Sequence, residues 1–244
     1  MNTAVQVKFF IQRLLRKTGW EMSRVVDGED AQLVLFFNLY KVDTVLDVGA
    51  NIGQFANAIR QAGFKGRIIS FEPQSEAHVK LKAFAANSSN WTVFERCAVG
   101  STPGETEINL SQNSFSSSIL DIEKLHTSNA PGSKYSGKEK VDVITLDQCK
   151  AIPKSGNIFL KVDTQGFEKY VLDGAKILLD RLVGVQLETS LAELYKGQTS
   201  FIELLTFMDG RGYDIWSINR GFDQRETGQL FQADVTFKRR QKLL

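Results

Sequence analysis

The run Asp47-Val48-Gly49-Ala50-Asn51-Ile52-Gly53 carries the first chemistry in the chain. It follows a short apolar stretch, Thr44 to Val48, and places an acid two residues ahead of a glycine. Glycines at such a point let the backbone turn tightly and approach a ligand. A helix opening at Phe55 would turn its free amides and positive dipole end to the same spot. A dinucleotide fingerprint wants a glycine where Asn51 stands and no acid where Asp47 stands. Asp47 is awkward beside a pyrophosphate and suits a ligand with a cationic amino group, unless it is only a solvated turn residue. Glu72 lies 23 residues beyond Gly49, at the end of a second strand running into Pro73. An acid at about that separation can accept hydrogen bonds from both hydroxyls of a ribose. Nicotinamide dinucleotides and S-adenosylmethionine both carry one, and a plain helix N-terminal charge for residues 74–86 is the structural alternative.

Other reactive side chains fall later. His126 lies in a polar stretch after Ser116-Ser117-Ser118, where a histidine could act as a general base or simply face water. The serines could cover a cofactor, grip an acceptor hydroxyl or only loosen the loop. His78 falls in a helix and is expected at the surface. Tyr195 and Trp216 could stack on a sugar ring or pack as core.

The elements that must position these groups are legible in the pattern. The 244 residues suit one large domain with small appendages and a sizeable core. Apolar residues at 42% and charged residues at 24% exclude disorder as the dominant state. A net charge of +2 gives no strong field for nucleic acid. Two cysteines, Cys97 and Cys149, form no disulfide framework and no metal-ligand spacing, so a reducing, cytoplasmic setting is expected. The apolar run Leu33 to Phe37 is too short to span a membrane.

Residues 4–17 read as a basic amphipathic helix, either a lid on the main domain or a contact for an anionic membrane surface. With a second helix over residues 29–39, they make an N-terminal helical extension of residues 1–40. Residues 41–244 form the main domain. There, strands at Thr44–Val48, Arg67–Phe71, Thr92–Val99, Val141–Leu146, Asn157–Val162 and Gly184–Glu188 alternate with helices at 55–62, 74–86, 168–181 and 201–210. Residues 100–140 read as one strand, Thr106 to Leu110, and a long loop. Tyr213–Asn219 and Asp234–Lys238 form an antiparallel pair, and Lys238 to Lys242 a frayed, solvated end. The alternation predicts an α/β fold whose mostly parallel sheet is covered by helices on both faces.

The stretch Lys161-Val162-Asp163-Thr164-Gln165-Gly166-Phe167-Glu168, followed by Gly174-Ala175, resembles the FkbM family of S-adenosylmethionine-dependent methyltransferases. Further landmarks fall in order: the 47–53 turn, Phe71-Glu72-Pro73, Ala98-Val99-Gly100, Ser116 to Ser118, Thr145-Leu146-Asp147 and Gln186-Leu187-Glu188. The resemblance covers roughly residues 41–240. It implies a Rossmann-like class I methyltransferase fold, with seven strands of which the last is antiparallel. It also implies methyl transfer from S-adenosylmethionine to a hydroxyl of a sugar, glycoconjugate or natural product. By that likeness Asp47, Gly49, Ala50, Asn51, Gly53 and Phe55 would surround the methionine end of the cofactor. Glu72 and Pro73 would hold the ribose, and Ala98 would lie near the adenine. Cys97-Ala98 stands where many methyltransferases have an acid for the adenine amine, so backbone groups or Glu95 would serve instead.

In that architecture Asp163 faces the methyl site and Glu188 ends the neighbouring strand. The two carboxylates could be a base with an orienting group, or ligands of a Mg²⁺-like ion. Thr189 stands where related metal-dependent enzymes carry a further acid, which favours the base. Glu168 could be a helix N-terminal acid with a structural role. A nicotinamide oxidoreductase and a cofactor-binding but silent partner are the competing readings.

Overall fold

The computed structural model describes residues 28–224 and 226–240, with residues 11, 13–15, 17 and 18 ahead of them. The amphipathic helix expected over residues 4–17 falls mostly outside the described residues.

Helix α1 (Glu29–Leu39) leads into β1 (Thr44–Val48), α2 (Gln54–Gln61), β2 (Arg67–Phe71), α3 (Ser75–Ala85) and β3 (Trp91–Val93). After a smaller unit come β7 (Ile158–Val162), α5 (Glu168–Asp173), α6 (Lys176–Leu179), β8 (Gly184–Ser190), α7 (Phe201–Gly210), β9 (Tyr213–Arg220) and β10 (Gln232–Arg239). The main sheet has seven strands in the order β3-β2-β1-β7-β8-β10-β9, and β10 runs antiparallel to both its neighbours. Strand order reverses between β1 and β7, so the ligand crevice belongs beyond their carboxyl ends.

The central strands β1 and β7 are buried along their whole length, as strands covered on both faces must be. Leu46, Ile69, Leu160 and Leu187 pack on one face beneath α5, α6 and α7. Val45, Ile68 and Phe159 pack on the other beneath α1 and α2. Phe36 and Phe37 of α1 meet Phe159 edge-on, with ring centroids 5.5 and 4.9 Å away. That contact sets the first turn of α1 over the carboxyl rim of the sheet.

Several expectations are corrected. Thr92–Val99 is not one strand. Trp91–Val93 ends the main sheet, while β4 (Ala98–Val99) joins a second, three-stranded sheet with β5 (Gly104–Ser111) and β6 (Tyr135–Ile144). Arg96 fixes the break by donating to the carbonyls of Pro73 and Lys140 at 2.9 Å.

Within residues 100–140 the expected strand Thr106–Leu110 is the centre of β5. The loop expected after it holds helix α4 (Lys124–Asn129) and the first half of β6, which pairs with β5 into a ribbon. Its outer positions carry the pairs Lys140–Glu105 and Lys138–Glu107 at 3.0 and 3.7 Å, so charge hides the strand pattern. The expected helix 168–181 breaks at Gly174, where a Cβ would come within 1.9 Å of the Gly100 carbonyl oxygen. His78 is buried, its Nε2 at 2.8 Å from the Phe94 carbonyl. The described part of the basic tail, Lys238 to Arg240, is held against the domain. Arg239 donates to the Leu179 and Leu182 carbonyls, and Arg240 to Asp214 at 2.6 Å.

Candidate active site

The turn after β1 is shaped by three left-handed residues, Gly49 at φ +79°, Asn51 at φ +47° and Gly53 at φ +98°. Gly49 is required by space as well. A Cβ there would stand 1.8 Å from the Asp163 carbonyl oxygen, because the ends of β1 and β7 meet at this point. The carboxylate of Glu72 braces the turn. It accepts from the Asn51 amide at 2.6 Å and the Gln74 amide at 2.9 Å, joining the β1 turn to the start of α3. Glu72 is only 2% exposed, and burial raises its carboxyl to about 7 against the pull of those amides.

A row of polar side chains crosses the sheet on the face covered by α1 and α2. Register aligns Ser70, Asp47, Lys161, Gln186 and Thr236 on five adjacent strands. Lys161 is the only cation in the row. Its ammonium lies 3.1 Å from Asp163, 3.8 Å from Asp47 and 5.3 Å from the centre of the Phe55 ring. The two carboxylates outweigh burial and hold it firmly protonated. Asp47 accepts from the Ser70 hydroxyl at 3.2 Å through one oxygen and leaves the other without a hydrogen bond.

Two residues further along the strands, Asp163 and Glu188 are joined through one amide. Gln165 Nε2 donates to Asp163 at 2.9 Å and to Glu188 at 2.6 Å. The Tyr195 hydroxyl donates to Gln165 Oε1 at 2.6 Å, which fixes the amide with its nitrogen toward the acids. Glu188 also accepts from Gln232 at 2.7 Å. Burial and the neighbouring Asp163 and Asp234 push its carboxyl up. Glu168 closes the loop before α5, accepting from the Thr164 and Gly166 amides at 2.9 and 3.1 Å. That is a structural role, and burial raises its carboxyl to about 7.

These groups surround a cavity of about 350 Å³ at the carboxyl rim, a size ordinary for a small-molecule site. Gly49, Ala50, Asn51, Phe55, Glu72 and Pro73 line it, as do Ala98 and Asp163. Asp47 does not; it lies fully buried behind Lys161, which does. Gly53 and Glu188 also lie off the cavity wall. Gly53 instead packs toward Trp91 and Leu81.

His126 is not a loop residue near the site. It sits in α4, 4% exposed, edge-on to Tyr195 and tilted against Phe222. Burial lowers its imidazole to about 4. Tyr195 is fully buried, and Trp216 packs edge-on against Phe36 and Tyr40. Neither borders the cavity. Sequence reasoning gave no role to Gln165 or Asp234 and none beyond motif membership to Lys161. Strand register, with Asp234 opposite Glu188, is the signal that could have found Asp234.

The sequence pattern of the Methyltransferase FkbM domain matches residues 47–215, more than half of the chain. The chain belongs to the FkbM methyltransferase family. Among solved structures, this FkbM-family chain is similar to the methyltransferase FkbM of Methylobacillus flagellatus, at 17% identity and a TM-score of 0.53. That match covers 80% of this chain and 43% of the other. It is a likeness of fold, and this chain spans less than half the length of that protein.

Magnesium protoporphyrin IX methyltransferase from Synechocystis, solved with bound SAM, matches at 10% identity, a TM-score of 0.48 and 98% coverage of both chains. Precorrin-6y C5,15-methyltransferase from Geobacter metallireducens matches at 12% identity and a TM-score of 0.45, covering 89% of this chain and 92% of the other. No curated protein matches the chain in sequence.

The FkbM-family cavity fits an adenosyl ligand. Cys97, Ala98, Val99 and Ile108 form an apolar slot beside Glu72. Asn51, on the cavity wall, keeps a buried side-chain oxygen without a partner, ready for a ligand donor. The acids Asp163 and Glu188 do not fit a bridging cation, because the Gln165 amide nitrogen stands between them. Among the described residues no group of three His, Cys, Asp or Glu side chains is arranged to hold a metal. Among the same residues no helix is long and apolar enough to cross a membrane.

Proposed function

We propose that this protein transfers a methyl group from S-adenosylmethionine to a hydroxyl of a sugar, glycoconjugate or related natural product. The observation that carries the reading is one cavity whose wall brings together Glu72, an apolar slot, Lys161 and Asp163. The Glu72 carboxylate has lone pairs left after the two backbone amides and suits the two hydroxyls of a ribose. Cys97, Ala98 and Ile108 suit the flat, apolar faces of an adenine. The cavity wall at Gly49, Ala50 and Asn51 suits the amino-acid end of the cofactor.

When bound, the sulfonium supplies an activated methyl whose C–S electron pair leaves with sulfur. The residues of the chain then supply position, exclusion of water and a place for the acceptor proton. Gln165, held by Tyr195, keeps Asp163 and Glu188 in fixed geometry at the rim.

Isothermal titration with S-adenosylhomocysteine tests the cofactor, and no binding at millimolar ligand overturns the reading. Mass spectrometry of extracted glycans, with and without active protein, tests the acceptor. A methyl found only on nitrogen or carbon would refute transfer to oxygen.

A further inference from the structure

We infer that Asp234 is the general base that receives the acceptor's hydroxyl proton. The inference rests on the methyltransferase reading and adds to it the residue at which the acceptor reacts. As the hydroxyl oxygen forms its bond to the methyl carbon, the O–H proton passes to Asp234. The C–S bond breaks with its electron pair going to sulfur.

Three carboxylates stand abreast at the carboxyl rim. Asp163 follows Val162, which pairs with Leu187, and Glu188 pairs directly with Asp234 on β10. Side chains alternate along a strand, so all three share the face that carries Lys161 and Gln186. Their hydrogen bonding separates them. Asp163 has one oxygen on Lys161 and the other on Gln165. Glu188 takes two amide donors, from Gln165 and Gln232, and does not border the cavity.

Asp234 borders the cavity, and no side chain among the described residues donates to its carboxylate. A base must offer an accessible oxygen to the proton it takes. Asp163 has a donor on each oxygen. Among the described residues Glu188 keeps Oε1 without a donor, but it lies off the cavity wall. Of the three, only Asp234 both borders the cavity and takes no side-chain donor among the described residues. Asp30 in the first turn of α1 also borders the cavity, but it is exposed and solvated.

The charged groups around Asp234 suit the role. Asp163 comes from the end of β7, Glu188 from β8, Glu29 from α1 and Lys161 from β7, while its β9 neighbour Asn219 is neutral. Burial, Asp163 and Glu29 raise its carboxyl to about 7, with Lys161 opposing. The group is therefore poised to accept a proton near neutral pH.

Sinefungin tests this without an acceptor, because it carries an ammonium at the place of the transferable methyl. Calorimetry compares it with S-adenosylhomocysteine on the full chain, for wild type, Asp234→Asn and Asp30→Asn, from pH 6 to 8. The wild type is expected to prefer sinefungin, with the preference growing as pH rises through about 7. Asp234→Asn should bind sinefungin at least tenfold more weakly, keep its S-adenosylhomocysteine affinity within about twofold and lose the pH dependence. Equal weakening of both ligands, no weakening of either, or loss of the preference in Asp30→Asn instead would overturn the assignment. If the wild type binds neither ligand, the methyltransferase reading fails and the base falls with it.

Discussion

The Lys161 ammonium lies 3.8 Å from the Asp47 carboxylate on the neighbouring strand, with 8% of one side chain exposed and none of the other. The pair sits below the cavity and supports its floor. A buried charge that loses its partner costs about 3–5 kcal/mol. Lys161→Met should lower unfolding stability by about that amount in urea titrations. Adding Asp47→Asn should recover a large part, because the stranded charge is gone. A double variant no better than the single one would show that Lys161 acts by packing alone.

Gly49→Ala tests the meeting of β1 and β7. The added methyl would stand 1.8 Å from the Asp163 carbonyl oxygen, at a φ of +79° that disfavours alanine. Strain and displacement together should cost at least about 2 kcal/mol. S-adenosylhomocysteine affinity should drop more than tenfold in calorimetry, since the turn and Asp163 move together. Wild-type melting temperature and affinity in this variant would refute the close packing.

Glu72 should make cofactor binding depend on pH. Its carboxyl sits at about 7 in the folded protein, so acidification through that value adds a proton and removes an acceptor for ribose. S-adenosylhomocysteine affinity should rise between pH 6 and 8, by roughly tenfold at most per pH unit. Glu72→Gln should bind at least tenfold more weakly and show no such slope. A flat wild-type profile would count against ribose recognition by this carboxylate.

His126 should govern part of the acid sensitivity of the fold. Its folded value of about 4 lies below the ordinary 6.5. The unfolded chain therefore takes up the proton first as pH falls. Stability carried by the neutral ring is full above pH 6.5 and lost progressively between 6.5 and 4, on the order of 3 kcal/mol in all. The wild-type minus His126→Phe stability difference should therefore fall as pH drops through that window, measured by denaturant unfolding at several pH values. An unchanged difference would mean that the ring is not kept neutral.

Much of this arrangement was legible in the chain. The apolar runs before Gly49, Glu72 and Asp163 marked buried strands whose ends carry function, and those three residues do stand at the cavity. Asp47 was misplaced because spacing gives its strand position and not the lysine that register brings in front of it. The β5–β6 ribbon was legible only in part. Thr106–Leu110 and Val141–Leu146 read as strands, whereas the outer reach of β6, residues 136–140, is made of charged and small side chains and gives no apolar signal. His126 lay between those two strands, so its burial against Tyr195 and Phe222 could not be read either. Asp234 and Glu29 reach the cavity only through the folding of the two ends of the chain onto the central strands.

That last feature divides the cavity by ancestry. The residues on its wall that lie outside the family segment 47–215 are Glu29, Asp30, Leu33 and Asp234. Lys161 and Gln186, which approach Asp234 and Glu29, fall inside it. The family segment thus supplies most of the cavity wall, while Glu29, from ahead of it, is tied by hydrogen bond to Gln186 within it, and Asp234 comes from beyond it. On the proposed reading of Asp234, swapping these flanking segments between relatives is expected to alter the acceptor while leaving cofactor binding in place.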